Sequence, residues 1–159
     1  MKLSAKGRYA VTAMVDLARV YDSRPVSLSD ISLRQNLPLQ FLEQLFSKLK
    51  KAGLVESVRG QKGGYVLSKT AENISVAAIV EAVQESVKTT ACVPGSLSGC
   101  QGTSSRCLTH DLWASLEHQI QYYLSSISLL DICEKKLKVP SEVIEDESVS
   151  CKESKKAVS

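Results

Sequence analysis

The sequence predicts a mostly helical protein with one small β-hairpin. Two short helical patterns separated by a tight turn occupy residues 28–51, and the second is polar on its outer face. Two short β-type runs follow, joined by the basic, glycine-rich stretch RGQKGG. A long helical pattern begins near residue 109. Together these features are typical of a winged helix-turn-helix followed by a long dimerisation helix.

Charge is distributed unevenly along the 159 residues. Residues 1–69 carry 12 Lys and Arg against 5 Asp and Glu, whereas residues 70–159 carry 8 against 12. This asymmetry indicates that the first part meets a polyanion and the second part does other work. No apolar run approaches the roughly 18 residues of a membrane span, and the start lacks a secretory pattern, so we expect a cytoplasmic protein without membrane contact.

The first helix is expected over residues 4–21. Its apolar face is formed by Ala10, Met14, Leu17, Ala18 and Tyr21. Lys2, Lys6 and Arg8 lie near its start, where cations and a helix N-terminus can meet phosphate, although a solvated surface is an equally good interpretation for any one of them.

The second helix is expected over residues 28–35. Ser27 with Asp30 resembles a capping box, and Asn36 can close the helix in a left-handed conformation. The residues expected to be buried are Leu28, Ile31 and Leu33. Pro38 suits the first turn of the next helix.

The third helix lies within residues 37–53 and ends at Gly53. Its apolar residues follow helical spacing and are Leu42, Leu45, Phe46 and Leu49. Its opposite face carries Gln40, Glu43, Gln44, Ser47, Lys48 and Lys51. The second and third helices therefore form a helix-turn-helix whose second helix can enter a major groove.

The hairpin consists of residues 54–58 and 65–67. Its tip holds Arg59 and Lys62, which can enter a minor groove or pair with phosphate, and its glycines let the backbone approach a duplex. A nucleotide phosphate loop is disfavoured, because this loop joins two strands and lacks the GxxxxGK[ST] order.

The second part begins with a helix over residues 74–84, capped by Ser75. It is expected to bury Val76, Ile79, Val80 and Val83. A further helix over residues 109–126 carries the stripe Leu112, Leu116, Ile120, Tyr123, Leu124 and Ile127. We interpret this stripe as a dimer seam, and a helix folded back on its own subunit is the alternative. Ser128 is expected to cap a short helix through Cys133.

Five segments are expected in all. Residues 1–69 form the DNA-binding region, 70–91 a connecting helix, 92–110 a ligand loop, 111–136 the dimerisation and short helices, and 137–159 a disordered tail.

The stretch 92–110 is rich in Gly and Ser and carries Cys92, Cys100, Cys107 and His110. All four side chains are good metal ligands, and such a loop needs something other than packing to hold it. Thiolates suit iron–sulfur clusters. Zinc is the main rival for a Cys₃His set, but the spacing C-x7-C-x6-C-x2-H has only one short knuckle. A [4Fe–4S] cluster on the three cysteines is the other rival, and Cys133 and Cys151 are expected to be bystanders.

Four segments match a known pattern: SAKGRYAVTAM, LEQLF, LVESVRGQKGGY and CLTH. With them the chain resembles the IscR-type iron–sulfur cluster regulators, a family of bacterial winged-helix transcription factors, over roughly residues 1–133. The resemblance implies a homodimer that binds double-stranded promoter DNA and a [2Fe–2S] cluster held by three Cys and one His. It also implies repression of cluster-assembly genes when loaded, action at other promoters without the cluster, and a cluster-assembly scaffold as donor.

Residue by residue, the resemblance places the cluster ligands at Cys92, Cys100, Cys107 and His110. It places the DNA contacts at Gln40, Phe41, Glu43, Gln44 and Arg59, to which Lys62 is added from the hairpin. Gln40 and Gln44 can pair with adenine edges and Glu43 can accept from cytosine. The chain departs from the family in its longer ligand spacing, in Gln40 and in Pro38.

Two other function classes remain open at the level of sequence. A cluster-free regulator could use the cysteines as thiol sensors, and a [4Fe–4S] form could sense nitric oxide. An enzyme or electron carrier is disfavoured, because no catalytic constellation is apparent and His110 serves better as a ligand than as a base.

Overall fold

The computed structural model describes residues 5–20, 24–83 and 108–137. Its elements, in chain order, are the helices α1 (Ala5–Val20), α2 (Leu28–Gln35) and α3 (Leu39–Lys51), the strands β1 (Val55–Val58) and β2 (Gly64–Leu67), and the helices α4 (Val76–Ala82), α5 (His110–Ser126) and α6 (Leu129–Cys133). A single 3₁₀ turn, Ala71–Asn73, precedes α4. The predicted class, mostly helical with a small β-wing, is confirmed.

Helix α1 lies at the centre of the fold. It packs against α2, α3, α4, α6 and β2. Its inner face is buried, and Met14 and Leu17 are fully enclosed. The same hydrophobic cluster includes Ile74, Ile79 and Leu129 from the second part of the chain. The predicted DNA-binding region, residues 1–69, and the helices after it therefore share one core in the described part of the chain.

The helix-turn-helix follows its local signals closely. The Ser27 hydroxyl accepts from the Asp30 amide at 3.1 Å, and Asn36 closes α2 at φ 51°. Ile31 is buried, but Leu33 is 82% exposed and the expectation that it packs inward is wrong. Leu33 follows Ile31 by two positions, which places it on the opposite face of a short helix. Pro38 precedes α3 as its N-cap instead of lying in its first turn.

The wing is joined to the body by backbone hydrogen bonds. Strands β1 and β2 pair antiparallel, from Val55 opposite Leu67 to Val58 opposite Gly64. Beyond the hairpin, Val26 and Tyr65 exchange backbone bonds of 3.0 and 2.8 Å. The segment before α2 therefore acts as a short third strand beside β2.

The second part is closed by two serine caps that meet. Ser75 caps α4 by accepting from the Ala78 amide, and Ser128 forms a capping box with Asp131 at the start of α6. The two serines also form an antiparallel bridge, in which Val76 N donates to Ile127 O and Leu129 N donates to Ile74 O, both at 2.9 Å. Both predicted caps are confirmed, and the junction between α5 and α6 is fixed to the start of α4. The expected disorder after residue 137 lies outside the described residues.

Candidate nucleic-acid interface and metal ligands

The outer face of α3 presents the predicted base-reading residues. Gln40, Glu43 and Gln44 are exposed. The inner face is anchored in the core by the buried residues Leu42, Leu45, Phe46 and Leu49. Phe41 is half-buried, and its ring meets the Tyr9 ring edge-on at 5.7 Å between centroids. Phe41 therefore packs against α1 and has only part of its ring available to DNA.

The wing tip carries two exposed cations, Arg59 and Lys62. The hairpin is held against α3 by the rings of Phe46 and Tyr65, whose centroids lie 4.9 Å apart. On the outside, Lys50 Nζ donates to Ser57 Oγ at 2.5 Å. These contacts hold the wing in a defined position beside α3.

An ion pair between the exposed Arg34 and the buried Asp16 fixes the turn that leads into α3. Asp16 of α1 is 6% exposed and accepts from Arg34 Nη2 at 2.7 Å and from Gln35 Nε2 at 2.6 Å. The hydrogen bond to Asp16 raises the pKa of Arg34, against the lowering effect of burial. Arg34 and Gln35 are the last two residues of α2, so this cluster ties the turn to α1. Sequence reasoning missed it, although an acid on the apolar face of α1 signals a partner.

Of the four predicted metal ligands, the structure describes His110 alone. It is the first residue of α5 and is half-buried. Cys92, Cys100 and Cys107 lie outside the described residues. Within the described ranges no three His, Cys, Asp or Glu side chains gather as a metal site. By donor chemistry, three thiolates and an imidazole fit an iron–sulfur cluster.

Cys133 is a packed thiol, as expected. It is half-buried in α6, with Sγ 4.0 Å from the carbonyl oxygen of Val15 in α1. Burial raises the pKa of the Cys133 thiol and so disfavours the thiolate that binds metal. Cys151 lies outside the described residues, and His118 is exposed on α5.

The apolar stripe of α5 divides into two parts. Ile120, Leu124 and Ile127 are half-buried, and α5 packs against α4. Leu112 and Tyr123 are 61% and 56% exposed, and Leu116 is exposed beside them. The structure describes the whole of α5, and none of its residues is fully buried. One edge of the stripe thus packs on its own chain and the other is uncovered.

Lys48 was expected on the face of α3 opposite its apolar residues. It is half-buried instead, and its ammonium donates to the carbonyl of Val83, at the end of α4, at 3.3 Å. The sequence gives no signal for this contact, because the two residues belong to different helices and meet only in the folded chain.

The whole described fold falls within one family. Residues 3–135 match Rrf2, described as iron-dependent transcriptional regulators. The chain belongs to the Rrf2 family. The HTH-type transcriptional regulator IscR of Yersinia pseudotuberculosis is 52% identical over 132 residues, which cover 83% of this chain and 79% of that protein.

Solved Rrf2-type structures resemble the chain as well. The structure of T. potens IscR is 34% identical with a TM-score of 0.70, and the match covers 90% of this chain and 96% of that one. CymR, described as the global cysteine regulator of B. subtilis, is 31% identical with a TM-score of 0.71, covering 85% and 98%. The chain is therefore a transcriptional regulator of the IscR/Rrf2 type and not an enzyme. No helix within the described ranges is long and apolar enough to cross a membrane.

Proposed function

We propose that this Rrf2 regulator senses iron–sulfur cluster supply through a [2Fe–2S] cluster held by Cys92, Cys100, Cys107 and His110. The observation that carries the proposal is this set of four soft or borderline donors within residues 92–110. The family description as iron-dependent and the 52% identity to a protein named IscR support it.

Promoter DNA is read by α3 and the wing. With α3 in the major groove, Gln40 and Gln44 pair with adenine edges and Glu43 accepts from the N4 amino group of cytosine. The exposed part of the Phe41 ring can meet a thymine methyl group. Arg59 and Lys62 contact phosphate or the minor groove. Each good base contact contributes about 1–3 kcal/mol of discrimination.

The ligand set explains how such a sensor releases its cluster. When bound, the cluster supplies a rigid link among the four ligands. His110 is a neutral ligand that a proton can displace more readily than it displaces a thiolate, which favours exchange. His110 is half-buried at the start of α5, which limits solvent access to this residue.

The DNA-binding form is a homodimer. The uncovered edge of the α5 stripe offers Leu112, Leu116 and Tyr123 to the same surface of a second copy. Two α3 helices then read a palindromic promoter in the cytoplasm. Loaded protein represses cluster-assembly genes, cluster-free protein acts at other promoters, including as an activator, and an assembly scaffold donates the cluster.

The test is anaerobic purification followed by optical and Mössbauer spectra and by DNA titration with and without the cluster. We expect a [2Fe–2S] signature with mixed sulfur and nitrogen ligation, which His110→Ala alters. Colourless, iron-free protein that binds every promoter as before would instead support thiol sensing. A four-iron spectrum would favour the [4Fe–4S] alternative, and bound zinc would overturn the cluster proposal.

A further inference from the structure

Lys48 is set apart from the other lysines at the end of α3. Lys50 and Lys51 are exposed, whereas Lys48 is half-buried and donates to the Val83 carbonyl. Val83 ends α4 and is itself 1% exposed. A cation at a helix C-terminus satisfies carbonyls that the helix leaves without partners, so the contact joins the end of α4 to α3.

Helix α4 is fixed at both ends by polar contacts to different elements. At its start, Val76 N donates to Ile127 O at the junction of α5 and α6. At its end, Val83 accepts from Lys48. In the sequence, the residues that carry the three cysteines run from Val83 to α5, which His110 begins. One flank of the cysteine-bearing stretch is therefore α4 itself, and the other is α5, which packs against α4.

On α3, Lys48 shares a row with the base-reading face. Residues four apart lie one above the other on a helix, so Gln40, Gln44 and Lys48 form one row. Helix α3 is continuous from Leu39 to Lys51. A displacement applied at Lys48 must therefore move Gln44 and the adjacent Glu43.

We propose that Lys48 is a positioning residue that couples the end of α4 to the recognition helix, so that cluster occupancy changes how α3 presents Glu43 and Gln44. This inference rests on the proposed function. Lys48 acts here through Val83 and not as a phosphate contact. The two roles differ in a measurable way, because losing a phosphate contact weakens binding in both forms and reduces the salt slope by about one.

The experiment uses full-length Lys48→Met, Lys48→Arg and Lys51→Met. Lys51→Met removes the same charge from an exposed position of the same helix. DNA affinity of cluster-loaded and cluster-free protein is measured on one duplex at several salt concentrations. In Lys48→Met we expect the ratio of the two affinities to move at least about fivefold towards one, which is the lower end of common coupling strengths. Lys48→Arg should retain the wild-type ratio, and Lys51→Met should shift both affinities alike.

A second readout needs no cluster. In cluster-free protein, Lys48→Met should speed amide exchange in the last turn of α3 and at the end of α4, but not in α2. Lys51→Met should leave all three segments unchanged. If Lys48→Met does not fold, Lys48→Gln replaces it. The glutamine side chain is uncharged and shorter than that of lysine.

The outcomes separate the two proposals. If Lys48→Met keeps the wild-type ratio of DNA affinities between the cluster-loaded and cluster-free forms, the coupling role is overturned. Cluster sensing is then unaffected. Equal weakening of both forms with a smaller salt slope makes Lys48 a phosphate contact and also overturns it. A wild-type protein that takes up no iron, or binds DNA identically with and without the cluster, overturns the proposed function and the coupling role together.

Discussion

Glu43 is the one acidic residue in the sequence of α3, and it is exposed next to Gln44. An anion on a DNA-reading face repels phosphate unless a base offers it a donor, so it penalises the wrong sequences. Changing Glu43 to Ala should let cluster-free protein bind sites that otherwise require the cluster, with about a tenfold gain in affinity, within the range of a single base contact. Gel-shift titration of both forms measures this gain. Gln44→Ala is the control and should weaken both forms, and an unchanged cluster-free affinity in Glu43→Ala would refute the role.

Gly64 lies where the wing meets the segment before α2. A Cβ at this position would lie 2.4 Å from the carbonyl oxygen of Val26, which is backbone and cannot move aside easily. Gly64→Ala should therefore cost about 1–3 kcal/mol of unfolding free energy and disturb the wing. Lys62→Ala, at the exposed tip, is expected to change stability by less than about 0.5 kcal/mol while weakening DNA binding. Urea denaturation and DNA titration separate the effects, and a fully stable Gly64→Ala would contradict the close approach.

Asp131 gives stability a defined pH dependence. Its carboxylate accepts from the Ser128 hydroxyl at 2.6 Å and the Ser128 amide at 2.9 Å, which lowers its pKa. A lowered pKa in the folded state stabilises the fold above the unfolded value of about 4, and this contribution disappears as the pH falls through the folded value. Asp131→Asn should thus be less stable than the wild type at pH 7, and the difference should shrink below about pH 4 in thermal denaturation. Glu56→Gln controls for loss of an exposed carboxylate, and a difference that does not vary with pH would contradict the cap.

At the scale of elements, the proposed homodimer uses the edge of α5 that its own chain leaves uncovered. Leu116→Glu places a charge in the uncovered part of the stripe and should convert a dimer to a monomer at micromolar concentration. Gln121→Glu adds the same charge about 140° around the helix from Leu116, so it should leave association intact. Light scattering or sedimentation measures the mass. A Leu116→Glu protein that remains dimeric would show that another surface joins the copies.

Local sequence signals predicted where helices begin and end better than they predicted the contacts between distant helices and strands. The caps at Ser27, Ser75 and Ser128 were predictable because a hydroxyl bonds to backbone three residues away. The exposure of Leu33 was also predictable, because residues two apart lie on opposite faces of a helix and Ile31 is the buried one.

Contacts between distant segments were beyond local patterns. The Val26–Tyr65 bridge and the Lys48–Val83 bond both join residues far apart in the sequence. For the site, the outward face of α3 followed from helical periodicity, whereas its contact with the end of α4 required the folded chain.

At the scale of the whole molecule, one core around α1 joins the helix-turn-helix and the wing to the helices that follow them. Ile74, Ile79 and Leu129 are fully buried in the same cluster as Met14 and Leu17. Because neither the N-terminal part nor the helices after it can bury these residues alone, we expect one cooperative unfolding transition. Calorimetry at fixed protein concentration should give a calorimetric enthalpy close to the van't Hoff value. Two resolved transitions would show instead that the parts are independent.

The bridge between Ser75 and Ser128 brings two distant points of the chain side by side. Chain inserted between neighbouring anchor points can change in length at low entropic cost. A different ligand-binding segment could therefore be inserted between α4 and α5 without changing the helix-turn-helix or the wing. Under the proposed function, the same arrangement allows the ligand-bearing stretch to change in evolution while the predicted DNA contacts of α3 stay the same.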